Sequence, residues 1–105
     1  MQPQKLVLTT AGSKEEAQRI ARALVERRLA ACVNVTGPIE SVYRWQEKVE
    51  NAEEWLLLIK TTAAVVAQVR GLIGELHSYE LPECFSLAID DGSDEYLQWI
   101  QDVVK

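Results

Sequence analysis

Glu53-Glu54-Trp55-Leu56-Leu57-Leu58-Ile59-Lys60-Thr61 is the stretch on which the fold turns. A strand with one face in water alternates apolar and polar residues. The centre of this one, Trp55 to Ile59, does not alternate, which predicts cover on both faces. One face can pack on helices of the same chain. The other also needs a cover, and a chain of 105 residues has little left to supply it.

Working outward, Lys5 to Ala11 reads as a strand around Leu6, Val7 and Leu8, and Gly12-Ser13 breaks it. Ser13 then caps a helix, with Glu16 three residues on completing a capping box. Ala17, Ile20, Ala21 and Leu24 recur at helical spacing, and this helix is expected to end near Leu29 to Ala31. Cys32 to Thr36 reads as a strand. Gly37-Pro38 interrupts it, marking an edge or a bulge, and it resumes from Ile39 to Trp45. The polar run Gln46 to Ala52 reads as the turn before the central strand. Thr61 and Thr62 are expected to cap a second helix, whose stripe is Val65, Val69, Leu72, Ile73 and Leu76. Cys84 to Asp90 reads as a strand, Asp91-Gly92 as a turn, and Asp94 to Val104 as a final helix. That helix buries Leu97, Ile100 and Val104, with Tyr96 and Trp99 beside them. The order βαββαβ plus a C-terminal helix is the ferredoxin-like split βαβ pattern, an α+β fold with an antiparallel sheet. The length fits a single domain over residues 1–105.

Composition narrows the function. The net charge is −5, and an acidic surface repels phosphate backbones, so nucleic acid is excluded as a partner. No apolar run is long enough for a membrane span. Met1 to Lys5 lacks the pattern of a signal peptide, which places the protein in the cytoplasm. Cys32 and Cys84 have no CxxC spacing and read as reduced, buried thiols.

Two groups of residues carry candidate chemistry. His77-Ser78-Tyr79-Glu80-Leu81-Pro82 holds the only histidine, a phenol and a carboxylate, with a proline to stop the helix. His77 and Glu80 form a candidate metal pair, with Cys32 as a third ligand. The first helix delivers Cys32 to one end of the sheet and the second carries His77 to the other, so such a site would have to cross a subunit boundary. The plainer reading puts His77 in the helix's last turn, where its charge complements the dipole. The second group is a ligand wall of Tyr43, Trp45, Lys60, Tyr79 and Glu80, offering stacking surfaces and opposite charges. Against it stands simple packing of Tyr43 and Trp45, which share one strand face. There is no nucleophile turn and no glycine-rich phosphate loop, which reads as a protein that is not an enzyme.

Leu29-Ala30-Ala31-Cys32-Val33-Asn34, Ser41 through Trp45, Lys60-Thr61-Thr62, His77 to Pro82 and Tyr96-Leu97-Gln98-Trp99-Ile100 stand in this order along the chain. Together they resemble the CutA family of divalent-cation tolerance proteins over nearly the whole length. The resemblance implies a ferredoxin-like subunit in a tight homotrimer, with strands pairing across subunits in an architecture similar to PII signalling proteins. It also implies a role in divalent metal tolerance. Metal binding in the family is associated with a first-strand cysteine and adjacent histidines ending the second helix. Here Thr9 and Thr10 occupy that strand, and Leu76 precedes the single His77. Ser78 stands where the family has proline, and Glu47 where it commonly has glycine. The function expected is a trimeric binding or regulatory protein with inter-subunit clefts for a small ligand or partner. The alternative is direct binding and buffering of a divalent metal such as copper.

Overall fold

The computed structural model describes residues 3–105. Four strands, β1 (Gln4–Ala11), β2 (Cys32–Trp45), β3 (Lys48–Thr62) and β4 (Cys84–Ala88), form one antiparallel sheet in the order β2-β3-β1-β4. Helices α1 (Lys14–Glu26) and α2 (Val66–Leu76) follow β1 and β3, and α3 (Asp94–Val103) ends the chain. This is the expected split βαβ architecture. β3 and β1 hold the two inner positions, β3 lying between β2 and β1.

The ends of the elements show where local signals were redirected. Ser13 caps α1 by accepting the Glu16 N–H at 3.1 Å, as its position predicts. The Glu16 carboxylate does not close the capping box; it reaches Ser78 instead. α1 stops at Glu26, before the expected Leu29. Arg28 turns left-handed at φ 60°, and its N–H donates to Val25 O while the Leu29 N–H donates to Leu24 O. That paired pattern is a Schellman stop, which satisfies the last carbonyls of the helix. The Thr61 hydroxyl donates to Leu29 O at 2.6 Å rather than capping α2. Thr62 precedes a 3₁₀ turn, Ala63–Val65, and makes no side-chain cap bond.

The β2–β3 hairpin is longer than the sequence suggests. The expected loop over residues 46–52 contracts to Gln46-Glu47, both at positive φ (50° and 68°), as a type I′ turn requires. Strand pairing starts directly at Trp45–Lys48. Residues 48–53 are mostly polar because this ribbon projects past β1, pairs only with β2 and is largely solvated. β2 is continuous through Gly37-Pro38, where a register shift between Thr36 and Ile39 marks a bulge in an edge strand. Gly37 is needed there: a Cβ would lie 2.6 Å from Trp55 Cδ1 and 3.0 Å from Glu54 O. β4 ends at Ala88 and not at Asp90.

Alternation along β3 divides the molecule. Leu57, Ile59 and Thr61 are fully buried and point with Val7, Thr9 and Ala11 toward the helices. There they meet Ile20, Leu24, Val69, Leu72, Ile73 and Ile100 in the core. Leu56, Leu58 and Lys60 point the other way and are only half-buried. On that face Leu58 neighbours Leu8, which neighbours Phe85, and Leu6 neighbours Leu87. Phe85 and Leu87 are each 48% exposed. The cover expected on both faces of β3 is therefore supplied by this chain on one face only.

Two substitutions test this framework. Glu47→Gly is expected to raise stability by about 0.5–1 kcal/mol, because glycine removes the left-handed penalty while losing some chain entropy. Gly37→Ala is expected to cost about 1–3 kcal/mol by overpacking against the base of the Trp55 ring. Chemical denaturation of both variants checks the two signs, and a shift in tryptophan emission should accompany the second.

Candidate functional site

The segment after α2 is tied down by buried polar groups from three other elements. The His77 side chain is wholly buried at the C-cap of α2. Its Nδ1 accepts the Tyr79 N–H at 3.1 Å, so the ring proton sits on Nε2, which donates to Thr10 O at 2.6 Å. Glu16 Oε2 lies 3.3 Å from Nδ1. That oxygen accepts the Ser78 N–H at 2.9 Å, and Oε1 accepts the Ser78 hydroxyl at 2.8 Å. The Tyr79 hydroxyl donates to Glu54 Oε2 at 2.8 Å and lies over Gly12, where a Cβ would meet it at 3.0 Å. Glu54 is 5% exposed, and Tyr79 supplies the donor that such a carboxylate needs.

The electrostatics follow from these bonds. Burial alone would raise the Glu16 carboxyl. The two Ser78 bonds, with the Arg19 charge and that of His77 whenever its ring is protonated, outweigh it and hold that carboxyl below the usual range. Burial pushes the Tyr79 phenol far above its ordinary value, and the bond to Glu54 and the charge of Glu54 push it further. These groups fasten the exit of α2 to β1, α1 and β3, and both ring nitrogens of the only histidine are engaged.

The other predicted residues lie elsewhere on the ladder. Tyr43 pairs with Glu50, and Trp45 with Lys48 at the hairpin tip. Glu80 is exposed on the loop beside Tyr79. Lys60 pairs with Cys32 near the far end of β3. Six residues separate Lys60 from Glu54, about 20 Å of strand, and a similar length again separates Glu54 from the tip. Tyr79 and Glu80 are thus adjacent, Tyr43 and Trp45 are adjacent, and Lys60 is apart from both pairs within the chain. Cys32 and His77 sit at opposite ends of the sheet, as the topology predicts. Among the described residues, no three His, Cys, Asp or Glu side chains converge as a metal would require.

At the Lys60 corner the ammonium contacts Cys32 Sγ at 3.8 Å and also the Asn34 side-chain oxygen. Tyr96 reaches toward the same thiol. Burial raises its phenol, and Cys32 adds to the effect. A groove of about 590 Å³ between α1 and β2 is lined by Arg19, Arg22, Val25, Val33 and Val35 and contains none of the predicted site residues. Sequence reasoning missed Glu54, which stands in a polar run with no local mark of burial. It read Glu16 as completing the capping box, whereas the carboxylate anchors Ser78.

These features place the chain in a known family. The model of the CutA1 divalent ion tolerance protein family matches residues 5–103. The divalent-cation tolerance protein CutA of Thermus thermophilus is 44% identical over 99 residues, 94% of this chain and 96% of that one. Protein CutA of Homo sapiens is 40% identical over 91% of this chain, which spans only 54% of the human sequence. The structure of the periplasmic divalent cation tolerance protein CutA from Archaeoglobus fulgidus superposes with a TM-score of 0.94. It is 40% identical over 97% of this chain and 99% of that one. The chain belongs to the CutA family, which is named for metal tolerance and not for an enzymatic reaction. No helix among the described residues is long and apolar enough to cross a membrane.

Acid should loosen this network in a defined direction. A carboxyl held below its unfolded value stabilises the fold above that value and loses the contribution as pH falls through the folded one. Glu16→Gln is expected to cost about 1.5–3 kcal/mol at neutral pH, the range for hydrogen bonds to a charged group. Below about pH 4.3 the wild type should lose stability more steeply than the variant. Melting temperatures measured from pH 7 to pH 3 check both points.

Proposed function

We propose that this chain is a homotrimeric, PII-like binding or regulatory protein of divalent-cation tolerance. Its subunits meet over the bare face of the sheet, and the clefts between them take a small polar ligand or a partner's loop. The observation that carries this reading is the uncovered surface of Leu6, Leu8, Leu56, Leu58, Phe85 and Leu87. A contiguous apolar patch on a small domain marks an interaction site, and an obligate interface resembles a core cut in half. The spacing of the predicted residues adds support. Trp45 and Lys60 lie about 40 Å apart along one hairpin, so only a second copy brings one near the other. The projecting ribbon has the reach to do so. Tyr43 and Trp45 from one subunit, Lys60 from another, and Tyr79 with Glu80 are the wall we assign to the cleft.

Binding is favoured over catalysis because the only histidine has both ring nitrogens committed and its side chain buried. The free thiols Cys32 and Cys84 suit a reducing compartment, which supports a cytoplasmic location. Direct copper binding is the second reading and rests on the family's description as a divalent ion tolerance protein. Calorimetry with copper and zinc separates the two. Saturable micromolar binding near one metal per subunit would establish the metal reading.

Leu58→Asp places a carboxylate in the middle of the bare face and is expected to dissociate the assembly, read by sedimentation. A variant that sediments as wild type, or a wild type that is monomeric at micromolar concentration, rules the interface out. Glu80→Gln should leave the ligand-free melting temperature nearly unchanged, because its side chain is exposed. In a thermal-shift screen of nucleotides, amino acids, organic acids and divalent metals it should lose the stabilisation seen for wild type. That stabilisation is about 2.7 kcal/mol for a ligand at a hundred times its Kd.

A further inference from the structure

At the corner of the bare face, two nucleophiles of different strength stand side by side. Cys32 and Lys60 are direct partners across the β2–β3 ladder, so their side chains leave the same face of the sheet. Lys60 Nζ lies 3.8 Å from Cys32 Sγ and is oriented by the Asn34 side-chain oxygen. Both residues are half-buried within the single chain. Cys84, the other thiol, has Arg70 and Glu83 as its charged neighbours and no lysine.

We infer that Cys32 and Lys60 form an acyl relay, in which the thiol accepts an acyl group from a small thioester and hands it to the amine. In the first step the Cys32 thiolate attacks the thioester carbonyl. A carbon–sulfur bond to Cys32 forms, the bond to the leaving thiol breaks, and that thiol takes up the proton Cys32 gave to solvent. In the second step Lys60, having lost a proton to water, attacks the new carbonyl. A carbon–nitrogen bond forms, the bond to Cys32 breaks, and the thiolate is regenerated as the amine's second proton leaves. Nothing is oxidised or reduced, and the net change is one thioester converted to one amide.

The geometry favours this route over direct attack by lysine. A thiol is far more nucleophilic near neutral pH than an ammonium side chain, so the first step falls to sulfur. An acyl group on Sγ then sits within reach of Nζ, and the intramolecular transfer gains from proximity. Acylation removes the Lys60 charge, and with it the cation of the proposed cleft. That consequence rests on the ligand reading above, whereas the relay itself stands on the Cys32–Lys60 contact alone.

The test incubates the full chain with S-acetyl-N-acetylcysteamine and follows each lysine by peptide mass spectrometry. Lys60 is expected to acetylate at least about tenfold faster than Lys5, Lys14, Lys48 and Lys105, as neighbouring-group assistance predicts. Cys32→Ala and Cys32→Ser should both bring it down to the rate of those lysines, while Cys84→Ala should not. In Lys60→Arg the acyl group should remain on Cys32 as a hydroxylamine-labile thioester. Acetic N-hydroxysuccinimide ester, which needs no thiol, should still label Lys60 in the cysteine variants and so confirm that the amine is reachable. Equal Lys60 rates with and without Cys32, or a wild-type Lys60 no faster than the other lysines, would overturn the relay. Sedimentation of the same samples reports the assembly separately, so a failed trimer and a failed relay give different results.

Discussion

The division of β3 into two faces is the constraint on which the rest of the structure depends. Leu57, Ile59 and Thr61 can be buried under α1 and α2 only if Leu56, Leu58 and Lys60 point away, because side chains alternate strictly along a strand. The neighbouring strands must match that phase. Val7, Thr9 and Ala11 join the helix side, and Leu6 and Leu8 join the bare side. A shift of one residue in either ladder would exchange the two sets. The same phase places Cys32 and Asn34 beside Lys60, and so builds the polar corner of an otherwise apolar face.

Buried carboxylates do a second structural job at the other end of the sheet. Glu16 and Glu54 are the acceptors that fasten Ser78 and Tyr79, and His77 bridges Thr10 to the Tyr79 backbone. No buried side-chain polar atom among the described residues lacks a partner. Such networks are rigid when every member is satisfied, because an unpaired group in a low dielectric is costly. The exit of α2 is therefore held by hydrogen bonds, and Glu80 projects beside it. This arrangement gives His77 a structural role that its position at the end of a helix does not reveal.

Much of the architecture was legible in the residues. Helical spacing of Ala17, Ile20 and Leu24, the Ser13 cap and the apolar run of β3 are local signals, and each element followed from them. The hairpin was not legible. Val49 to Glu53 form a strand because β2 supplies hydrogen bonds to them, yet both their faces are largely solvated and carry no periodic pattern. Gln46 and Glu47 form a tight turn without the glycine that usually announces one. Thr61 and Glu16 were read as caps because that is their local propensity, and distant partners, Leu29 and Ser78, claimed them instead.

The candidate site divides in the same way. The sequence by itself determined the family, the βαββαβ order, and the separation of Cys32 from His77, since connectivity alone makes α1 and α2 deliver the chain to opposite ends of the sheet. It also determined that Trp55 to Ile59 carries more apolar surface than one layer of helices can cover. Only the tertiary structure decided which leucines face outward and that Glu54 is the acceptor for Tyr79. It alone set Lys60 against Cys32 and committed both nitrogens of His77. Those facts depend on strand register and on contacts between residues far apart in the chain. Alternation fixes a strand's pattern, but its phase is set only when one face meets the helices.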